Sequence, residues 1–284
     1  MHTVLELINL SAEYLNKKGI ESARLNAELL LSGILKCKRL ELYLMFDRPL
    51  REDEVTEYRD YIKRRGSFEP LQYILGDVEF WGMNFKVNPS VLIPRQETEI
   101  LVESIINDAK VCNIKTALDI GTGSGILAVS IAKNIANCSV TALDVSAQAL
   151  ETAKQNAALN EVEAMINFME LDILTENVLP DESFDLIVSN PPYISSEEYK
   201  TLQPEIVKYE PEIALTDFND GYTFYKKISE KGVKLLKSGG HLYFEAGAGQ
   251  AEDIAELMRA LGYKNIKTVK DYLNIERVVT GEKN

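Results

Sequence analysis

The chain has 284 residues, 45% hydrophobic with only 9 prolines and 16 glycines, a composition that buries a sizeable core and suits two domains rather than a disordered chain. Its net charge of -13 lies wholly beyond residue 70: residues 1–70 hold 12 basic and 12 acidic side chains, the remainder 19 and 32, the wrong sign for a surface that grips a nucleic-acid backbone. Three cysteines without a C-x-x-C pair and two histidines, His2 and His241, argue against a disulfide framework or a zinc site, and no leader or membrane-length apolar run is evident, so a cytoplasmic protein is expected.

Residues 1–70 read as a small helical bundle. Thr3 and Glu6 have capping-box spacing, and Val4, Ile8, Ala12 and Leu15 follow at helical intervals until Gly19. A second helix is expected from Ser22 to Lys36, a short element near Glu41–Phe46, and a charged amphipathic helix from Glu52 to a basic end at Lys63, Arg64 and Arg65. Residues 71–93, rich in β-branched and aromatic side chains with turn signals at Gly76-Asp77 and Gly82, predict a β-hairpin linker in which Trp81 packs.

From about residue 98 onward strands alternate with helices. Seven strands are expected at 116–121, 139–145, 166–171, 184–190, 241–247, 266–271 and 275–281. Helical stretches between the first five imply a mostly parallel sheet; the last two, joined too closely for a crossover helix, imply an antiparallel hairpin at one edge.

The motif D-I-G-T-G-S-G places Gly121, Thr122, Gly123, Ser124 and Gly125 between the first of these strands and a helix, where a ligand approaches backbone. Asp144 ends the next strand, where a carboxylate accepts the two hydroxyl protons of a ribose. Asp119 either holds the loop or faces a cofactor ammonium group through water. Asp172 and Ile173, after the third strand, stand where an adenine would be edged and covered. These features indicate a nucleoside cofactor without naming a reaction.

The fourth strand ends in Asn190-Pro191-Pro192-Tyr193. Proline supplies no N–H, so the segment presents carbonyl oxygens with few competing donors. The side-chain oxygen of Asn190 and the main-chain oxygen of Pro191 together can accept both protons of an –NH2 group, and Tyr193 offers a ring for a planar group to stack on. An amide or exocyclic amine nitrogen is a poor nucleophile because its lone pair is delocalised. Two acceptors that orient it and stabilise its developing positive charge meet that difficulty by positioning and electrostatics.

With these motifs placed, the chain resembles the HemK/PrmC family of class I S-adenosylmethionine-dependent methyltransferases, which methylate a glutamine amide in peptide chain release factors. The likeness includes SARLNAELLL (22–31), EPLQYILGDVEFWG (69–82), LIPRQETE (92–99), DIGTGSG, NPPY, YEP (209–211) and IERVV (275–279). It implies an α/β fold: a seven-stranded, mostly parallel Rossmann-like methyltransferase sheet with a C-terminal antiparallel hairpin (94–284), after the helical bundle (1–70) and hairpin linker (71–93). It implies S-adenosylmethionine as methyl donor, S-adenosylhomocysteine as product, and the glutamine of a Gly-Gly-Gln loop as acceptor. It carries Gly121 through Gly125, Asp144, Asp172, Ile173 and Asn190 to the cofactor, and Asn190, Pro191, Pro192 and Tyr193 to the substrate, with Asn190, Pro191 and Tyr193 catalytic. Arg95, Glu97 and Thr98 should approach the cofactor; family members often have proline where Gln96 stands. The helical bundle would dock the release factor, Lys63, Arg64 and Arg65 being candidates for that surface, and the enzyme would act as a monomer without membrane or stable nucleic-acid partners. NPPY is shared with enzymes that methylate exocyclic amines of DNA and ribosomal RNA, which makes such an enzyme the alternative.

Overall fold

The structure is a computed structural model and describes residues 2–284. The chain forms two compact units. One runs to Asp77 and also takes in Gln203–Tyr209; the other comprises Val78–Leu202 and Glu210–Asn284.

In the first unit, helices Val4–Lys17, Ala23–Leu35 and Glu52–Arg65 surround a core that includes Ile8, Leu15, Leu30, Leu31 and Tyr58. The first helix begins with the expected capping box, Glu6 N donating to Thr3 Oγ1 and Thr3 N to Glu6 Oε2, which satisfies two otherwise orphaned N–H groups. A 3-10 turn, Arg39–Leu44, occupies the place of the short third element. The basic end of the last long helix is largely spoken for. Arg65 is buried and bonds Asn26 Oδ1, the Glu69 carbonyl and Glu205 Oε2, while Arg64 pairs with both carboxylate oxygens of Glu69. These two arginines serve packing rather than an open docking surface.

The segment 71–93 contains less strand than its composition suggests. Leu71–Leu75 forms a helical turn, begun after Pro70 and stopped by Gly76 at φ +81°, so the hairpin is confined to β1 (Asp77–Phe80) and β2 (Met83–Lys86). Its two-residue turn has Trp81 at φ +51° and Gly82 at φ +69°, the sign that matches the right-handed twist of the strands. Trp81 is partly buried against the sheet unit's core, in keeping with a packing role.

The second unit carries a seven-stranded sheet: β3 (Thr116–Ile120), β4 (Ser139–Asp144), β5 (Ile166–Glu170), β6 (Phe184–Ser189), β7 (Leu236–Glu245), β8 (Lys264–Lys270) and β9 (Glu276–Glu282), in spatial order β5-β4-β3-β6-β7-β9-β8. β3 to β7 pair in parallel; β9 is antiparallel to both β7 and β8. Side chains alternate cleanly between two cores. Ala117, Val140, Ala142, Leu186 and Val188 pack one face, Leu118, Ile120, Leu143, Ile187 and Phe244 the other, as a sheet covered on both sides requires.

One detail departs from the sequence reading: residues 171–183, between β5 and β6, contain no helix. The terminal antiparallel hairpin lies at one edge as expected, with β9 beside β7 and β8 outermost. Burial explains the choice, since Val278, Val279, Thr280 and Gly281 of β9 are all buried while Lys264, Lys267 and Lys270 of β8 are exposed, and exposed lysines protect an edge from further pairing. Among the described residues no helix is long and apolar enough to cross a membrane.

Candidate active site

The sheet register assembles the site. Ile120 is level with Leu143 and with Ser189, and Ser189 with Phe244. One residue further, at the carboxyl edge of four neighbouring strands, come Gly121, Asp144, Asn190 and Glu245. This is the edge at which parallel α/β sheets bind ligands.

The glycine loop turns from β3 into the helix Ile126–Asn134 through Gly121, Gly123 and Gly125 at φ +73°, +56° and +83°. Its hydrogen bonding is mostly internal: Gly121 N and Thr122 N donate to the Leu143 carbonyl, Gly125 N to the Thr122 carbonyl, and Gly123 N to Asp144 Oδ2 at 2.9 Å. Few N–H groups therefore remain for a phosphate. A Cβ on Gly121 would meet nothing within 4 Å and one on Gly123 only a carbonyl at 4.0 Å, so the loop's open side is free for a ligand. Asn156, buried in the helix Ala147–Leu159, fastens the loop from behind. Its Nδ2 donates to the Ser124 and Lys86 carbonyls and its Oδ1 accepts from Lys86 N.

Asp144 is mostly buried and its carboxyl pKa is pushed up by that burial, opposed by the N–H groups of Ser146 and Gly123. Asp119 holds the loop: Oδ2 accepts from Thr122 Oγ1 and Ala128 N, while Oδ1 is buried without a partner. Burial pushes its pKa up to about 7.

A cavity of about 460 Å³ lies over this edge. Gly121, Thr122, Gly123, Ser124, Asp144, Asp172, Ile173, Asn190, Pro191 and Pro192 all line it. Gly125 and Tyr193 do not. Gly125 sits beneath the loop against Ala153, and Tyr193 packs on the second core with its carbonyl accepting from Gln250 Nε2. Part of the wall comes from residues that the sequence reading did not single out, including Ile213, Ala214, Phe218 and Phe224. Asp217 shapes that wall by accepting from the N–H groups of Asn219, Gly221 and Thr223.

The motifs IPRQETE and YEP meet here. Glu210, buried, accepts from Arg95 Nη2 at 2.6 Å and from Ile93 N at 3.2 Å, which ties the two segments together. Thr98, in the first turn of the helix Glu97–Ala109, lies beneath Asn190: Asn190 Nδ2 donates to Thr98 Oγ1 at 3.4 Å, and Thr98 Oγ1 donates to Glu245 Oε2 at 2.6 Å. Glu97 does not line the cavity. Glu245 went unremarked in the sequence; its one available signal was its place at the end of a strand of the same parallel set.

Charge decides which ligands fit. The lining includes the acids Asp144, Asp172 and Asp217, and among the described residues its one cation, Arg95, is paired with Glu210. Such a cavity favours a positively charged nucleoside over a pyrophosphate.

Residues 6–76 match the family described as PrmC N-terminal domain, and residues 95–213 match methyltransferase small domain. A release factor glutamine methyltransferase of Fusobacterium nucleatum is 40% identical over 98% of this chain and 78% of its own length; that of Geobacter sulfurreducens is 41% identical over 98% and 96%. The chain belongs to the release factor glutamine methyltransferase family. It is accordingly an S-adenosylmethionine-dependent methyltransferase. A solved methyltransferase structure from Pyrococcus furiosus, 23% identical, matches 72% of this chain and 91% of its own with a TM-score of 0.52, a likeness of fold.

Proposed function

We propose that this protein transfers a methyl group from S-adenosylmethionine to the side-chain amide nitrogen of the glutamine in the Gly-Gly-Gln motif of peptide chain release factors. The observation that carries the reading is Asn190: its Nδ2 is committed to Thr98, while Oδ1 makes no hydrogen bond to another described residue. Beside it, Pro191 lines the cavity in a segment whose prolines lack N–H.

The cavity suits the cofactor. Asp144 would accept from the ribose hydroxyls with its remaining lone pairs, Ile173 and Leu174 would flank the adenine, and the uncompensated acids suit a sulfonium. When bound, S-adenosylmethionine supplies an electrophilic methyl. Asn190 Oδ1 and the Pro191 carbonyl would hold the two amide protons of the substrate, orient the nitrogen in line with that methyl, and stabilise the positive charge that grows on nitrogen. As the N–C bond forms, the bonding pair of the donor's S–C bond leaves with sulfur, and the amide nitrogen loses one proton to solvent. No strong base is needed before transfer, because that proton becomes acidic only as the bond forms.

The test is a methyl-transfer assay with unmethylated release factor, reading the Gly-Gly-Gln peptide by mass spectrometry, with DNA and ribosomal RNA in parallel. A methyl on that glutamine is expected; labelled nucleic acid beside an unmodified peptide would overturn the substrate. For the cofactor, Asp144→Ala is expected to weaken S-adenosylmethionine binding by about 1.5–3 kcal/mol, the worth of a hydrogen bond to a charged group. Titration calorimetry reads this directly. An unchanged dissociation constant would remove Asp144 from the ribose site.

A further inference from the structure

We propose that Thr98 and Glu245 are positioning residues that set which end of the Asn190 amide faces the substrate. The inference rests on the functional reading above. Oxygen and NH2 of an asparagine amide have nearly the same shape, so the fit of the side chain alone does not choose between them. Chemistry does: Oδ1 accepts the protons of a substrate –NH2, whereas a flipped amide would oppose donor to donor.

The choice is made by a directed chain of hydrogen bonds. A threonine hydroxyl has one proton, and that of Thr98 goes to Glu245 Oε2 at 2.6 Å. The hydroxyl oxygen then has only lone pairs to offer Asn190, so it accepts from Nδ2 at 3.4 Å and leaves Oδ1 toward the cavity. Thr98 and Glu245 are 0% and 2% exposed, so water does not compete for the bond between them. Glu245 forms no ion pair within the described residues: Arg277 and Arg95, whose charges reach it, are paired with Asp271 and Glu210. A buried carboxyl with so little compensation is costly to stability, which is the mark of a group kept for function.

The direction depends on Glu245 being an acceptor. A protonated carboxyl would instead donate to Thr98 Oγ1, free the hydroxyl proton to reach Asn190 Oδ1, and turn the amide round. Burial pushes the pKa of Glu245 up to about 7; Thr98 opposes this, Glu97 adds to it, and Arg277 and Arg95 oppose it. Tyr193 and Tyr225, which also face Glu245, have pKa values raised above the ordinary tyrosine range and stay protonated there. Because the ionised form is the productive one, turnover should fall as pH drops through this region. Asp119 ionises in the same range, so a pH limb alone does not identify the group.

Variants do. Glu245→Met, which removes the acceptor of the Thr98 proton without supplying a donor, should lower single-turnover rates by about tenfold to a hundredfold, with little change in cofactor affinity. Thr98→Val should lower the rate about tenfold on the same scale, and Thr98→Ser should recover most of that loss. Wild-type turnover in folded Glu245→Met would overturn the proposal. An independent measurement needs no substrate: the Asn190 side-chain NH2 resonances of 15N-labelled wild-type protein should titrate near pH 7 and cease to do so in Glu245→Gln. Absence of that titration overturns the relay even where glutamine is methylated. A titration present without glutamine methylation supports the relay and overturns the substrate reading alone.

Discussion

Asn190→Ala is expected to lower the single-turnover rate of methyl transfer by about a hundredfold or more, the scale seen when one preorganised polar group is removed from a charge-developing transition state. Asn190 is one residue beyond the row formed by Ile120 and Ser189, so the sheet itself fixes its backbone. Alanine keeps that backbone and removes the oxygen that, in the proposed reaction, orients and stabilises the reacting nitrogen. Cofactor binding should change far less, because the glycine loop and Asp144 lie on β3 and β4 and keep their mutual bond from Gly123 N to Asp144 Oδ2. Measuring the transfer rate at saturating cofactor and the dissociation constant separately checks both halves. Wild-type turnover would end the account of the asparagine; a loss confined to the dissociation constant would make it a binding residue only.

Gly125→Val is expected to destabilise the sheet unit by about 2–4 kcal/mol, combining a strained left-handed backbone with overpacking, and to abolish measurable cofactor binding. Gly125 sits at φ +83°, and a Cβ there would lie 3.0 Å from Ala153 Cβ and 3.2 Å from its Cα. A β-branched side chain in that backbone region is a true outlier. Relief would require the loop to lift away from the helix Ala147–Leu159, breaking the bond from Asn156 Nδ2 to the Ser124 carbonyl. Thermal unfolding and calorimetry together measure the effect. Gly121→Ala is the informative contrast, since a Cβ there meets nothing within 4 Å and only the φ of +73° opposes it. A valine variant with unchanged melting temperature and cofactor affinity would show that the loop tolerates displacement.

Much of this protein is legible along its chain because the relevant physics is local. The Thr3–Glu6 capping box spans one helical turn and formed as its spacing predicts. Short runs of strand-forming residues marked all seven strands of the large sheet, near-continuously apolar in central strands such as β3 and β6 because these are buried on both faces. G-x-G-x-G needs its positive φ values whatever surrounds it, and N-P-P lacks N–H groups in any fold. Chemistry of that kind travels with the residue type.

What the sequence did not disclose depends on pairing between distant segments. Nothing local announced that residues 171–183 would cross without a helix, or that β9 would slip between β7 and β8; that order follows from which strand buries both faces. The same holds for the site. The motifs IPRQETE and YEP stood out separately, and only folding shows that Glu210 joins them through Arg95 and Ile93 N. Thr98 and Glu245 are 147 residues apart, and neither has meaning for Asn190 until the sheet brings them beneath it. By itself the sequence determined the elements, the cofactor loop and the acceptor-rich NPPY segment, because backbone freedom and hydrogen-bonding capacity are properties of residues. Tertiary structure decided strand order, the shape of the cavity and the partners of Asn190, because those depend on burial and on segments that come together only when the chain has folded.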